Sequence, residues 1–295
     1  MTGWLDYWRA VGDRITWDRS ILRGLWIVPW LHAVNRKGRP KTRGFIAYYP
    51  QPAGPWYTLP LALAGTGIRR TSDVSKADAI MMFDDRTESK ISPPETKAIL
   101  LNHNATNVSK AHVGEVFEQT FGYVLTLDPQ TYSGPMVEKS DVNGVHDGQI
   151  VQGPLKHPRA GCVYQHLVES KVRDGVTEDL RCFCVGGEII EVFRKEKADE
   201  TRFQAIYLET TLRDPSESFS PEEREKVCQF CVAMGLDFGS IDILRDYSQG
   251  GRLYIVDVNK TCMPVLSMPA RPLAKALRRI GYAVEAFVLN ESSDC

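Results

Sequence analysis

An α+β fold with an α/β unit near its N-terminal end is predicted from three features of the sequence. Short apolar runs alternate with helical segments from Gly44 to about Thr106. A glycine-centred hairpin occupies Glu178 to Lys195. Two further apolar strands, each broken by one aspartate, lie between Ile241 and Asn259. Composition is that of a soluble globular chain, 43% hydrophobic and 25% charged, with net charge −1 over 295 residues. That balance offers no basic field for nucleic acid. Seven cysteines, an odd number without framework spacing, and no visible signal peptide fit a reducing cytoplasm. Cys228 and Cys231 form a CxxC, but on a helical segment with no second Cys or His pair, so they read as small core residues.

Residues 1–43 differ from the rest. Five of the six tryptophans lie there (Trp4, Trp8, Trp17, Trp26 and Trp30), with nine cations against three carboxylates. The apolar run Gly24 to Val34 is too short for a membrane span, and Pro29 is expected to kink or end a helix through it. Three readings stay open for this arm: packing on the body of the protein or a second copy, docking on an anionic membrane face at the inner side of the membrane, or docking on an acidic protein partner.

From Gly44 the chain reads as strand (Phe45 to Tyr49), turn, short helix (Trp56 to Ala64), and two further strands (Ala79 to Phe83 and Ala98 to Leu101). Alternation of this kind implies a mostly parallel sheet. Ligands sit beyond the carboxyl ends of such strands, near Tyr48, Asp84, Asp85, Asn102 and His103. Val113, Val116, Phe117 and Phe121 recur at helical spacing after a Ser109 cap and before Gly122. Lys110 lies in the first turn, where a cation opposes the helix dipole. Pro135 to Lys139 is a strand that runs into a loop carrying Gly144 and Gly148, in which backbone N–H groups can approach phosphate oxygens. Cys162 to Val168 is another strand.

Gly186-Gly187 fits a two-residue hairpin turn. Pairing outward from it sets Arg181 opposite Val192 and Asp179 opposite Arg194. Phe193 then falls with Leu180, Cys182 and Cys184 on a core face. Ser220-Pro221-Glu222-Glu223 supplies a cap, Pro at N1 and acids in the first turn of the next helix. In the two strands Ile241–Leu244 and Leu253–Val258, Asp242 can lie beside Asp257 and Asn259. Two carboxylates and an amide oxygen make a hard, all-oxygen site of the kind Mg²⁺ prefers. The tail from Pro269 to Leu289 reads as a helix followed by an apolar strand.

IDIL followed by YIVDVNKT resembles the metal-binding end of the ATP-grasp superfamily, with Asp257 where that family usually carries Glu. The order of the other motifs is similar too: a helix-start lysine, a lysine with a glycine flap, a hinge strand and the DLRCFCVGG hairpin. Arg202 is followed by Phe203-Gln204 and not by the Arg-Ser-Asn segment of the ligases that add amino acids to a carboxylate. The resemblance implies an ATP-grasp fold in which the nucleotide lies between two α+β lobes, with an arm at 1–43, an N-terminal domain at 44–106 and the ATP-grasp domain at 107–295. Lys110, Lys139, Gly144, Gly148 and Lys195 would serve the phosphates. Gln165, His166 and Leu167 would form the adenine hinge, and Glu169 would reach the ribose. Asp242, Asp257 and Asn259 would hold Mg²⁺ or Mn²⁺. Arg181, Arg194 and Arg202 would stabilise the transferred phosphoryl group. The implied activity is ATP-dependent activation of a small-molecule, glycan or peptide carboxylate as an acylphosphate, then attack by an amine, with release of ADP and phosphate. A kinase acting on a hydroxyl and a non-catalytic nucleotide-binding module remain alternatives.

Overall fold

The computed structural model describes residues 19–145 and 147–291. Trp4, Trp8, Trp17 and His146 therefore lie outside the described residues. Helix α1, Arg19–Arg36, runs through Pro29 without ending there. Proline deletes one hydrogen bond, and the burial of Ile27, Leu31 and Asn35 against the body outweighs that loss. The Asn35 amide donates to the Leu61 carbonyl at 3.2 Å, and Arg278 donates to the Val34 carbonyl at 2.6 Å. Packing on the body is thus what this helix does with one of its faces.

Strands β1 (Gly44–Pro50), β2 (Ile68–Arg70), β3 (Ala79–Phe83) and β4 (Ile99–Leu101) form a parallel sheet in the order β2-β1-β3-β4. The edge strand β2 escapes the sequence because three residues are too few to show a period. Helix α2 is Thr58–Leu63. Helix α3, Lys110–Phe121, is capped by the Ser109 hydroxyl, which accepts from the His112 N–H, and it closes on Gly122 at φ 81°. A small sheet follows: β5 (Gly134–Ser140), β6 (Gln149–Gly153) and β7 (Cys162–His166), in the order β6-β5-β7.

The large sheet contains β8 (Lys171–Arg173), β9 (Val176–Val185), β10 (Glu188–Ala198), β11 (Glu209–Arg213), β12 (Phe238–Asp246) and β13 (Arg252–Asn259). Its path is β11-β10-β9-β12-β13, with β8 on β9. Helix α4 is Pro215–Ser218, and α5, Pro221–Ala233, opens with a complete Ser220/Glu223 capping box. The last helix, α6, is Ala270–Glu291. The apolar tail expected as a strand is its second half. Leu273, Leu277, Ile280, Val284 and Val288 recur at helical spacing and are all buried. A Cβ on Gly281 would meet the Ala62 carbonyl at 2.3 Å, so glycine lets α6 lie directly on α2.

The two faces of the large sheet have different duties. On one, Cys182, Cys184, Val192 and Ile241 pack with Phe117 of α3 and with Val227 and Phe230 of α5. On the other, Phe183, Val185 and Phe193 pack with α6 and the parallel sheet. Beyond that packed half, the second face carries Asp179, Arg181, Lys195, Lys197, Asp242 and Asp257, which open into a cleft beneath the small sheet. Among the described residues no helix is long and apolar enough to cross a membrane.

A bulge between Ile189 and Glu191 shifts the β9–β10 pairing by one residue from the register read off the turn. Asp179 faces Lys195, not Arg194, and Arg181 faces Phe193, not Val192. Since strand side chains alternate, the shift carries Phe193 onto the face of Arg181 and turns Arg194 to the opposite face.

Candidate active site

The cleft is built from alternate residues of four neighbouring strands. Asp242 lies directly across from Asp257 on β13 and from Arg181 on β9. The Arg181 guanidinium is 3.2 Å from the Asp242 carboxylate. Lys195 reaches Asp179 at 2.8 Å and Asp242 at 3.6 Å, and Lys197 reaches Asp179 at 2.8 Å. From above, β5 contributes Lys139 and the start of α3 contributes Lys110. Six cations, counting Arg202 at the rim, thus face five carboxylates in the cleft lining: Asp147, Glu178, Asp179, Asp242 and Asp257.

Burial works against the ionisation of these groups, and their neighbours decide the outcome. Burial opposes the Asp179 carboxylate, yet Lys195 and Lys197 overcome it and draw its pKa down to about 2. Burial opposes the charge on Arg181, but Asp242 and Asp257 hold it above its ordinary value. Asp257 moves the other way. Burial, and then the charge of Asp242, push its carboxyl up. Lys139 is drawn down to about 8 by burial, with Asp257 opposing and Lys110 adding to the fall. Two crowded carboxylates and an under-stabilised ammonium are what a bound cation and a bound polyanion would relieve.

The donor set fits a hard divalent cation. The Oδ1 of Asp257 is buried without a hydrogen-bond partner, and the Oδ1 of Asp242 is buried with only its ion-pair contacts to Arg181 at 3.2 Å and Lys195 at 3.6 Å. The Asn259 amide donates to the other Asp257 oxygen at 2.9 Å. No cluster of three or more His, Cys, Asp or Glu side chains gathers among the described residues, so the set is two carboxylates and an amide oxygen. That oxygen currently accepts from Asn143 at 3.4 Å, and Asn143 also donates to the Val258 carbonyl at 3.2 Å. The loop after β5 is therefore latched onto the end of β13. Lys110 ties the same loop down by donating to the Val142 carbonyl at 2.9 Å.

The residues singled out in the sequence fall as follows. Lys110, Lys139, Gly144, Gly148, Gln165, His166, Leu167, Arg181, Lys195, Arg202, Asp242 and Asp257 line one cleft. Asn259 adjoins it through Asp257. Arg202 sits at the rim, donating to the Val168 carbonyl at 2.7 Å. Glu169 is not among the lining residues; its backbone carbonyl accepts from Tyr247. Arg194 is also outside the cleft. It pairs with Glu178 and Glu196, each at 2.5 Å.

Several cleft residues were not foreseen as site residues. Asp179 shares the strand face of Arg181 in either register, but only the bulge gives it Lys195 as its partner in place of Arg194, and period two from Lys195 then predicts Lys197. Tyr207, beneath both lysines at 5.4 Å from each ammonium, and Phe203, against Gly148, lie in a loop without readable pattern. Gln165 carries the strongest unspent polarity: it is 1% exposed, and neither end of its side-chain amide has a hydrogen-bond partner. Next to it, His166 is fixed by Asp246 at 3.1 Å and stacked on Tyr254.

The fold is that of the ATP-grasp proteins. The ATP-grasp ligase PsnB, solved with a minimal precursor, Mg and ADP, aligns over 80% of this chain and 96% of its own, with a TM-score of 0.50 and 13% identity. D-alanine–D-alanine ligase from Bacillus anthracis, solved with ATP, aligns over 85% of this chain and 99% of its own, with a TM-score of 0.49 and 10% identity. By sequence, the chain is 29% identical over 101 residues to a probable alpha-L-glutamate ligase of Xylella fastidiosa (strain M12). That match spans 34% of this chain and about a third (32%) of the relative's length. No protein-family model matches.

Proposed function

We propose that the protein is an ATP-dependent ligase that activates a substrate carboxylate as an acylphosphate and joins it to an amine, releasing ADP and phosphate. The observation that carries this reading is the Asp242/Asp257 pair on adjacent strands, facing Arg181, Lys195 and Lys139 across one cleft. The fold and the partial match to a glutamate ligase support the same reaction class.

Lys110, which donates to the Val142 carbonyl of the flap loop, and Lys139, on the strand that leads into that loop, hold the nucleotide phosphates as point charges. The unpaired Gln165 amide hydrogen-bonds the base. Asp242, Asp257 and Asn259 hold Mg²⁺, which when bound offsets charge on the phosphate oxygens. Arg181 and Lys195 are fixed in place by their carboxylate partners before substrate arrives. They are aimed at the oxygens where negative charge grows during phosphoryl transfer, so little reorganisation is needed at the moment of reaction. The acceptor carboxylate attacks the terminal phosphorus and ADP leaves. The amine then attacks the acyl carbon and phosphate leaves. No nucleophilic side chain is required, and positioning does the rest.

A trapping experiment tests this. With Mg-ATP and a panel of amino-acid and peptide carboxylates, hydroxylamine should intercept the activated carboxyl as a hydroxamate in step with ADP release. Phosphate retained on an acceptor hydroxyl would replace the ligase reading with a kinase. ATP binding without consumption across the panel would replace it with a binding module.

A further inference from the structure

Helix α1 presents a second face that the ligase reading does not use. Leu25, Trp26, Pro29, Trp30 and Ala33 are exposed, with Trp26 at 83% and Leu25 at 63%. Their spacing places them on one stripe, opposite the buried Ile27, Leu31 and Asn35. On the two elements that border this stripe the charge is almost all positive, the nearby carboxylates being Glu191, paired with Arg279, and Asp214, which shares a pocket with Arg271 and Lys275. Residues 19–43 hold seven cations and no carboxylate. Between Val258 and Val284 there is no Asp or Glu, whereas α6 carries Arg271, Lys275, Arg278 and Arg279 there.

The two sets meet at Trp30, which lines a pocket with Val34, Arg271, Lys275 and Arg278. Arg278 is committed to the Val34 carbonyl and the Asn35 amide oxygen. Arg271 and Lys275 are exposed and make no hydrogen bond or ion pair among the described residues.

We infer that this face docks on a lipid bilayer carrying anionic phospholipid. The indoles, apolar with one N–H donor, would lie at headgroup depth. Arg271 and Lys275 would take a lipid phosphate beside Trp30, and Arg36 and Lys37 would add long-range attraction to the negative surface. Neither element suffices alone, since stable peripheral attachment takes an apolar anchor together with a basic patch. A bilayer fits better than an acidic peptide because the apolar part is a convex helix surface, whereas peptides are held in concave grooves. The inference is independent of the reaction catalysed.

Co-sedimentation of the full chain with phosphatidylcholine vesicles, with and without phosphatidylserine, tests it. Binding should require phosphatidylserine and fall as salt is raised. Arg271→Gln with Lys275→Gln should lower the partition coefficient about fivefold for each cation removed. Trp26→Ser with Trp30→Ser should lower it at least as far. Both double variants should melt within a degree or two of the parent, which separates lost docking from lost folding. Absence of phosphatidylserine-dependent binding in the parent overturns the inference, as does binding that both variants retain. Capture by an immobilised acidic polypeptide without vesicle binding would assign the face to a protein partner and overturn it as well.

Discussion

Raising the pH from about 7 to about 9 should weaken ATP binding, and Lys139 sets the size of the effect. Burial brings its pKa to about 8, with Asp257 opposing and Lys110 assisting. A polyphosphate beside the ammonium favours its charged form, so binding takes up a proton wherever free Lys139 is partly neutral. With the free-state value at about 8, the apparent Kd should rise toward tenfold for each pH unit above it, about 1.4 kcal/mol per unit. A phosphate's own second ionisation, near 6, lies below this window. Titration calorimetry at pH ~8.5 in two buffers of different ionisation enthalpy should register uptake of about three-quarters of a proton per nucleotide. Lys139→Arg, which stays charged, should abolish both the uptake and the slope. The same shift affects the free protein. The folded pKa lies below the unfolded value of 10.5, so the unfolded chain binds more protons between about 8 and 10.5. Stability of the nucleotide-free protein should therefore rise with pH through that window, and the cost of the charged lysine should be fully present below it. Affinity that stays flat to pH ~9 without proton uptake, or a slope that Lys139→Arg keeps, would refute a phosphate contact at Lys139.

Three other outcomes follow from the same geometry. Asp257→Asn should abolish turnover and the Mg²⁺-dependent part of the stabilisation by ATP, which at a hundred times Kd is about 2.7 kcal/mol, or several degrees in a melting scan. Because burial and the charge of Asp242 already disfavour the Asp257 carboxylate, the nucleotide-free variant should melt no lower than the parent. Lys195→Ala should lower kcat steeply, whereas Arg194→Ala should spare kcat and instead cost about 3 kcal/mol of stability through its partly buried Glu178 and Glu196 partners; comparable loss of kcat in both variants would contradict the bulged register. Gln165→Leu should leave the free protein as stable or more so, since it removes an unpaired buried amide, while weakening ATP binding by about 1–2 kcal/mol, measured by calorimetry.

The sequence by itself determined those features whose signals are local. Ser109 and Gly122 bracket α3, and the Ser220 to Glu223 box starts α5, because caps are satisfied within a single turn. Asp242 and Asp257 stood out because a carboxylate inside an apolar strand is costly without a partner. The motif order then implied an ATP-grasp fold. What only the tertiary structure decided depends on distant contacts. The bulge after Ile189 exchanged Arg194 for Lys195 as the partner of Asp179, since a one-residue slip reverses every side chain beyond it and a Gly-Gly turn does not specify a bulge. The apolar end of α6 is equally readable as a strand until the surfaces of α2 and the parallel sheet select its helical stripe. Pro29 sits within a continuous helix because the body of the protein holds both of its flanks. The unpaired amide of Gln165 is invisible in sequence, because whether a polar group is satisfied depends on the strands packed around it.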